Sequence, residues 1–280
     1  MNQSMINSAV SLGQLQHQLD TTGNNIANSG TTGFKRSEVT FRDLLTQQVN
    51  NQSADEYEVG RQTPNGIRVG SGSAVDQINK QMEQGSIQQT DRELDIALTE
   101  EGHFFELAPD EDGERRFTRD GAFYFSPNPD NEDESFIVNQ NGEYVESVEG
   151  GPIAVPNNYE EFSISSNGTI EVTVADEDGE TEAEDLGQLQ LVEITRPELL
   201  EANSENVLQF ADLDELELGI GDVLEEAAGT DIFQQGALEM SNVDLGKEMT
   251  DMLNAQRAYQ FNSRALEMTD EMQGLVNNLR

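Results

Sequence analysis

The chain has 280 residues, with 55 Asp and Glu against 15 Lys and Arg, a formal net charge of −40 and a mean hydropathy of −0.62. Phosphate contacts need clustered cations, so this balance argues against direct nucleic-acid binding and against docking on an anionic membrane surface. The absence of cysteine removes disulfides, thiol catalysis and thiolate metal sites, and two histidines, His17 and His103, leave almost nothing for an imidazole zinc site. No segment approaches the roughly 18 consecutive apolar residues of a membrane span, and the start lacks the basic and apolar regions of a cleavable signal.

The acidity is uneven. Residues 1–50 are neutral overall, whereas residues 81–240 hold five cations and 42 anions, a net of −37. Like charge keeps surfaces solvated, so the middle of the chain reads as a water-facing body and the ends as segments free to pack.

In chain order, the first element is a helix. Met5, Leu12, Leu19 and Ile26 recur every seven residues with Leu15 on the same face, the seam of a supercoiled helix pair. Asn24, Asn25, Asn28 and Ser29 then weaken the helix, and Gly30 and Gly33 suit its C-terminal cap. Phe41, Leu44 and Leu45 predict a short helix over 39–45. Residues 46–90, rich in Gln, Asn, Ser and Gly, read as a polar connector unable to bury enough apolar surface alone.

From Leu94 the period changes to alternation. Eight runs predict strands: 94–98, 104–107, 116–118, 123–125, 136–138, 162–164, 170–174 and 189–194. Between them stand Asp112-Gly113, Asp120-Gly121, Asn141-Gly142, Asn167-Gly168 and Asp178-Gly179, turn pairs that tolerate the positive φ of tight hairpins. The expectation is an antiparallel all-β domain.

The C-terminus returns to helix. Ser241-Asn242-Val243-Asp244 carries a Ser-x-x-acid start signal, and Leu245, Met252, Tyr259 and Leu266 again repeat every seven residues, with Met249 and Leu253 beside them. A helix over 243–278 would be about 54 Å long, long for one small β-domain. Two such stripes at opposite ends favour an assembly coiled coil completed by neighbouring subunits. Asn24, Asn25, Asn28, Asn242, Gln256 and Arg257 are candidates for polar contacts that set its register.

The sequence supplies no catalytic motif. Gly246-Lys247 is followed by Glu248 where a phosphate loop needs Ser or Thr. Asp110 to Gly113 and Asp176 to Gly179 begin like calcium loops, but their outer ligand positions are Ala108 and Arg119, and Val174 and Asp185. No catalytic residue, cofactor or metal site is expected.

Asn24-Asn25-Ile26-Ala27-Asn28 with Thr31-Thr32-Gly33-Phe34-Lys35 resembles the N-terminal signature of bacterial flagellar rod and hook proteins. Gln235 to Glu239, Ser241 to Leu245, Glu248-Met249 and Ala255 to Gln260 resemble the matching C-terminus. Leu94 to Ala97, Gly102 to Phe105 and Phe117 to Gly121 resemble the β-domain shared by distal-rod and hook proteins. The opening Met1 to Met5 and Leu12 to Gln16 are most similar to Bacillus-type variants of the rod protein.

This resemblance implies an axial subunit of the flagellar basal body, exported uncleaved through the flagellar type III apparatus and assembled helically with itself and other rod or hook subunits. The terminal helices would line the tube, with the β-domain outside. The expected fold class is α+β: long N- and C-terminal helices forming a coiled-coil-like assembly domain, with a central antiparallel all-β domain. Its expected parts are a helical segment 1–45, a connector 46–90, a β-domain 91–235 and a helical segment 236–280. The alternative is a secreted acidic β-rich adhesive or calcium-binding protein, which would bind its ligand with both ends removed.

Overall fold

Apolar residues at helical spacing near both ends and at alternating spacing between them give two kinds of structure. A computed structural model describes residues 2–43, 47–49, 67–69, 73–109, 113–129, 131–175, 181–204, 206–211, 219–227 and 231–278. They fall into two compact units, one drawn from Met1–Ile26, Ser37–Asn79 and Leu245–Arg280, the other from Ala27–Arg36 and Lys80–Asp244.

The first unit holds α1 (Asn2–Ala27), β1 (Ser37–Asp43), β2 (Gln47–Val49), β3 (Ile67–Val69), β4 (Ser73–Lys80) and α2 (Leu245–Asn278). Strand β1 pairs with β4, and β2 pairs antiparallel with β3. The helix expected over 39–45 is instead the strand β1; Leu44 and Leu45 lie outside the described residues. Val39, Thr40 and Phe41 are β-branched or aromatic, and β4 satisfies their backbone groups, so pairing prevails over the weak helical spacing. The stretch read as a polar connector likewise carries strands wherever pairing partners are present. Helix α1 runs through Asn24 and Asn25 to Ala27. Helix α2 begins at Leu245, so Asp244 rather than Ser241 precedes its first turn, and the Ser241 hydroxyl accepts from Val243 N at 3.3 Å.

The second unit continues with β5 (Ile87–Gln89), β6 (Ile96–Leu98), β7 (His103–Leu107), β8 (Arg116–Thr118), β9 (Tyr124–Pro127), β10 (Glu134–Val138), β11 (Ala154–Pro156) and β12 (Tyr159–Ile164). It closes with β13 (Thr169–Ala175), β14 (Thr181–Gln188), β15 (Leu191–Ile194), β16 (Leu200–Ala202), β17 (Val207–Phe210), β18 (Leu224–Glu226), β19 (Phe233–Gln235) and β20 (Ala237–Glu239). Each of the eight expected runs overlaps a strand. An antiparallel six-stranded sheet of order β16-β17-β8-β7-β15-β18 is joined by three-stranded sheets β11-β10-β9 and β12-β13-β14 and by the pairs β19-β6 and β20-β5.

The six-stranded sheet is covered on both faces. Successive side chains of a strand point to opposite faces, so neighbours in sequence enter different cores. Phe105, Leu191 and Val207 pack with Ile96, Phe123, Ile137 and Ile170, whereas Phe104, Val192 and Leu208 pack with Phe117, Phe210 and Val223. Phe105 meets Phe123 edge-on at 5.1 Å, and Phe117 meets Phe210 at 5.3 Å, the quadrupole-favoured arrangement.

The turn glycines divide by role. Gly113, Gly142 and Gly168 take the positive φ expected of them; Asp112 and the Asp178-Gly179 pair lie outside the described residues. Gly121 differs, having no positive φ. A Cβ there would stand 1.7 Å from Ile96 O, and Ile96 N donates to Gly121 O at 3.0 Å. Glycine is needed because two backbones touch. Gly121→Ala therefore forces β6 away and is expected to lower unfolding free energy by about 2 kcal/mol or more in urea titration, the scale of core overpacking.

Candidate assembly interface and its buried clasp

The residues expected to pack at the interface lie on the two helices, which share one unit. Along α1, Met5, Leu12, Leu15, Leu19 and Ile26 are all half-buried. Along α2, Glu248 and Ala255 are buried and Met252, Asn262, Leu266 and Thr269 half-buried, a row spaced by threes and fours or their sums. Leu245, Met249 and Tyr259, with Gln256 and Arg257, are exposed. They join Leu253, Phe261, Met268, Met272 and Leu275 as uncovered residues; Phe261 is 79% accessible. Thus α2 has a covered side and, elsewhere around its axis, an uncovered side on which large apolar side chains stand among polar ones such as Gln260, Arg264 and Glu267.

The polar candidates separate as well. Asn24 is exposed and Asn28 half-buried, with the Thr31 hydroxyl donating to Asn28 Oδ1 at 3.3 Å. Asn25, 1% accessible, donates through Nδ2 to Ser37 O at 2.8 Å and to Glu248 Oε2 at 3.1 Å, and accepts from Ser37 N at 2.9 Å. It ties α1, β1 and α2 within one chain. Asn242 lies outside α2, where it accepts from Arg36 N at 2.7 Å and donates to Gln81 O and Glu83 O, each at 2.9 Å. Both amides are used like strand residues, donating to and accepting from the backbone of other segments.

The densest polar cluster lies in the second unit, at residues to which no sequence motif assigns a role. Glu239, on β20, accepts from Lys35 Nζ at 2.7 Å, Gly85 N at 2.8 Å and Arg119 Nε at 2.5 Å. Its carbonyl accepts from Gly33 N at 2.8 Å. Two cations against one carboxylate leave a positive excess, which carbonyl dipoles absorb: Lys35 also donates to Glu83 O, and Arg119 to His103 O and Glu100 O. Burial pushes the Glu239 carboxyl up, but the Arg119 and Lys35 cations and their hydrogen bonds outweigh it and hold the group below the ordinary carboxylate range. Burial lowers the Lys35 ammonium, against the pull of Glu239.

Beside it, Asp120 accepts from the Thr32 hydroxyl at 2.7 Å, Ala122 N at 3.1 Å and Asn206 Nδ2 at 3.1 Å. Burial raises this carboxyl, and its three hydrogen bonds only partly offset that. Gly33 has φ +66°, and a Cβ on it would stand 2.5 Å from Asp120 N, so the Thr32 to Lys35 loop lies flat on the strand end. The available signal was the scarcity of cations: Arg119 is one of only five in residues 81–240. Among the described residues no group of three or more His, Asp or Glu is placed to hold a metal ion, and no helix is long and apolar enough to cross a membrane. The two calcium-like runs lie largely outside the described residues.

Residues 6–35 match the family model of flagella basal body rod protein, residues 99–172 that of the flagellar hook protein FlgE/F/G D1 domain, and residues 234–279 that of the flagellar basal body rod FlgEFG protein C-terminal. Lys35, Arg119 and Glu239 come one from each of these segments. Among relatives, the chain is 35% identical to the flagellar hook-basal body complex protein FlhP of Bacillus subtilis, covering 100% of both chains. It is 33% identical to the flagellar basal-body rod protein FlgG of that organism, over 99% of each chain. With FlgG of Caulobacter vibrioides it shares 32% identity, again over 99% of each.

Breaking a buried ion cluster by removing one partner strands the others. Glu239→Gln is therefore expected to cost about 3 kcal/mol or more at neutral pH in urea titration. Because the folded-state carboxyl lies below its ordinary 4.5, the contribution is full above that value and is lost as pH falls through the lower folded value. The gap between wild type and Glu239→Gln should narrow below pH 4.5.

Proposed function

Because this chain belongs to the flagellar basal-body rod protein family, and is thus a structural component of the bacterial flagellar basal body, we propose that it polymerises helically through its terminal helices and transmits torque as a stiff link. It assembles with further copies of itself and with other rod or hook subunits. It reaches its place through the flagellar type III export apparatus. It carries out no chemical turnover, and its working groups are packing side chains.

The observation that carries this reading is the set of large apolar side chains left uncovered on α2. Leu245, Met249 and Leu253, then Phe261, Met268, Met272 and Leu275, face solvent in the single chain. So many large apolar side chains left uncovered on one helix mark an interaction site. The other side of the same helix, with Met252 and Leu266, is covered within the chain, so the uncovered side is free for a neighbouring subunit, and the seven-residue spacing of Phe261, Met268 and Leu275 there fits a supercoiled contact. Residues 1–45 and 236–280 form the assembly segments on this reading, 46–90 the connection, and 91–235 the acidic body on the solvent side of the polymer.

Phe261 allows folding and assembly to be separated. Phe261→Asp changes a side chain that is 79% accessible, so the isolated protein should unfold within about 0.5 kcal/mol of wild type. In a strain lacking the chromosomal copy, wild-type protein should be detected by antibody in purified basal bodies and restore swimming, whereas Phe261→Asp should do neither, because a seam buries the carboxylate unpaired. Absence of the wild-type chain from basal bodies overturns the function; normal incorporation of Phe261→Asp overturns the assignment of this face.

A further inference from the structure

The strand register of the second unit sets like charges opposite one another. Glu171 of β13 lies directly across from Asp185 of β14, and both are exposed. Glu193 of β15 lies across from Glu225 of β18, both again exposed, with His103 on the other side of Glu193. Directly opposed residues of an antiparallel pair have Cβ atoms about 5 Å apart, and like charges there are destabilising. None of these four carboxylates pairs with a cation among the described residues.

The reason lies in where the cations go. Lys35 and Arg119 are enclosed around Glu239; Arg92 pairs with Asp95, Arg115 with Glu106, and Arg116 with Glu143. Lys80 stands over the ring of Phe34 at 5.4 Å. The unit places most of its few positive charges in its own interior and at strand ends; Arg196 is exposed, and the surface is predominantly negative. Even in the cleft around Arg115, Glu106, Glu146 and Glu226 converge on a single guanidinium. Burial and the neighbouring Glu106 raise the Glu146 carboxyl there.

We propose that dissolved counterions are a required part of this unit's fold: its β-sheets are held against their own like-charged cross-strand pairs by ionic screening, so its stability is gated by ionic strength. At low salt the Debye length, about 30 Å at 0.01 M, lets the carboxylates of the whole unit repel one another. At about 0.1 M it is near 10 Å, and only neighbouring strands still interact. Stability therefore rises steeply at low salt and then levels, and the rise is independent of the protein's association with any partner.

The test is thermal unfolding of the full-length protein, kept dilute, across a chloride series. The melting temperature should rise by about 5 °C or more between roughly 0.02 and 0.5 M NaCl and flatten beyond, equally in KCl. The variant E171Q/D185N/E193Q/E225Q should melt higher than wild type at low salt and converge with it at high salt. Glu201→Gln, whose cross-strand neighbour is the neutral Gln209, should narrow the salt response far less. A flat salt series overturns the proposal. So does a variant whose offset from wild type is the same at all salt concentrations, since that signals packing. So does a larger rise with sulfate than with chloride at equal ionic strength, which marks preferential exclusion from the surface.

Discussion

Glu239 is the point on which the second unit depends. One carboxylate binds a lysine from the segment after α1, an arginine from the end of β8 and the amide of Gly85, while its carbonyl takes the amide of Gly33. A buried charge is tolerated only when its partners are fixed around it, so these four chain segments must arrive together. The loop of Thr32 to Lys35 is then held flat, which Gly33 alone permits because Asp120 N occupies the place of a side chain. The cluster joins residues more than 200 positions apart in sequence, Lys35 and Glu239.

That clasp frames a sheet with two apolar faces. Paired neighbours such as Phe104 and Phe105, or Val192 and Leu191, send one side chain into each core, so β7 is buried from end to end and β15 at every residue but Glu193. Two cores within an acidic chain leave little apolar surface for the exterior of this unit. With most of its cations drawn inward, the charge that remains outside is chiefly carboxylate, which suits a solvated surface and resists unspecific contact.

The helices show the reverse economy. Their unit is poor in charge, and α2 leaves large apolar side chains uncovered while burying Glu248 against Asn25. A helix that hides a carboxylate and exposes Phe261 is suited to packing with something outside its own chain. The family to which the chain belongs forms part of the flagellar basal body, which accords with the proposed role of these side chains in subunit packing.

Element type was largely legible in the sequence, because it depends on spacing between near neighbours. Both long helices and all eight β-runs follow from local periodicity, and the resemblance of the two ends and the β-domain identified the family. Tertiary structure decided what spacing leaves open. Residues 39–43 became strand because β4 lies beside them. Gly121 serves a backbone contact instead of a positive φ, and Asn25 and Asn242 bridge segments of their own chain. The covered side of α2 proved to be that of Met252 and Leu266, while Leu245 and Met249, from the same stripe, stay exposed. Above all, Lys35, Arg119 and Glu239 are ordinary charged residues until folding removes water from all three at once. Their importance arises from desolvation, a property of the packed chain that no local pattern carries.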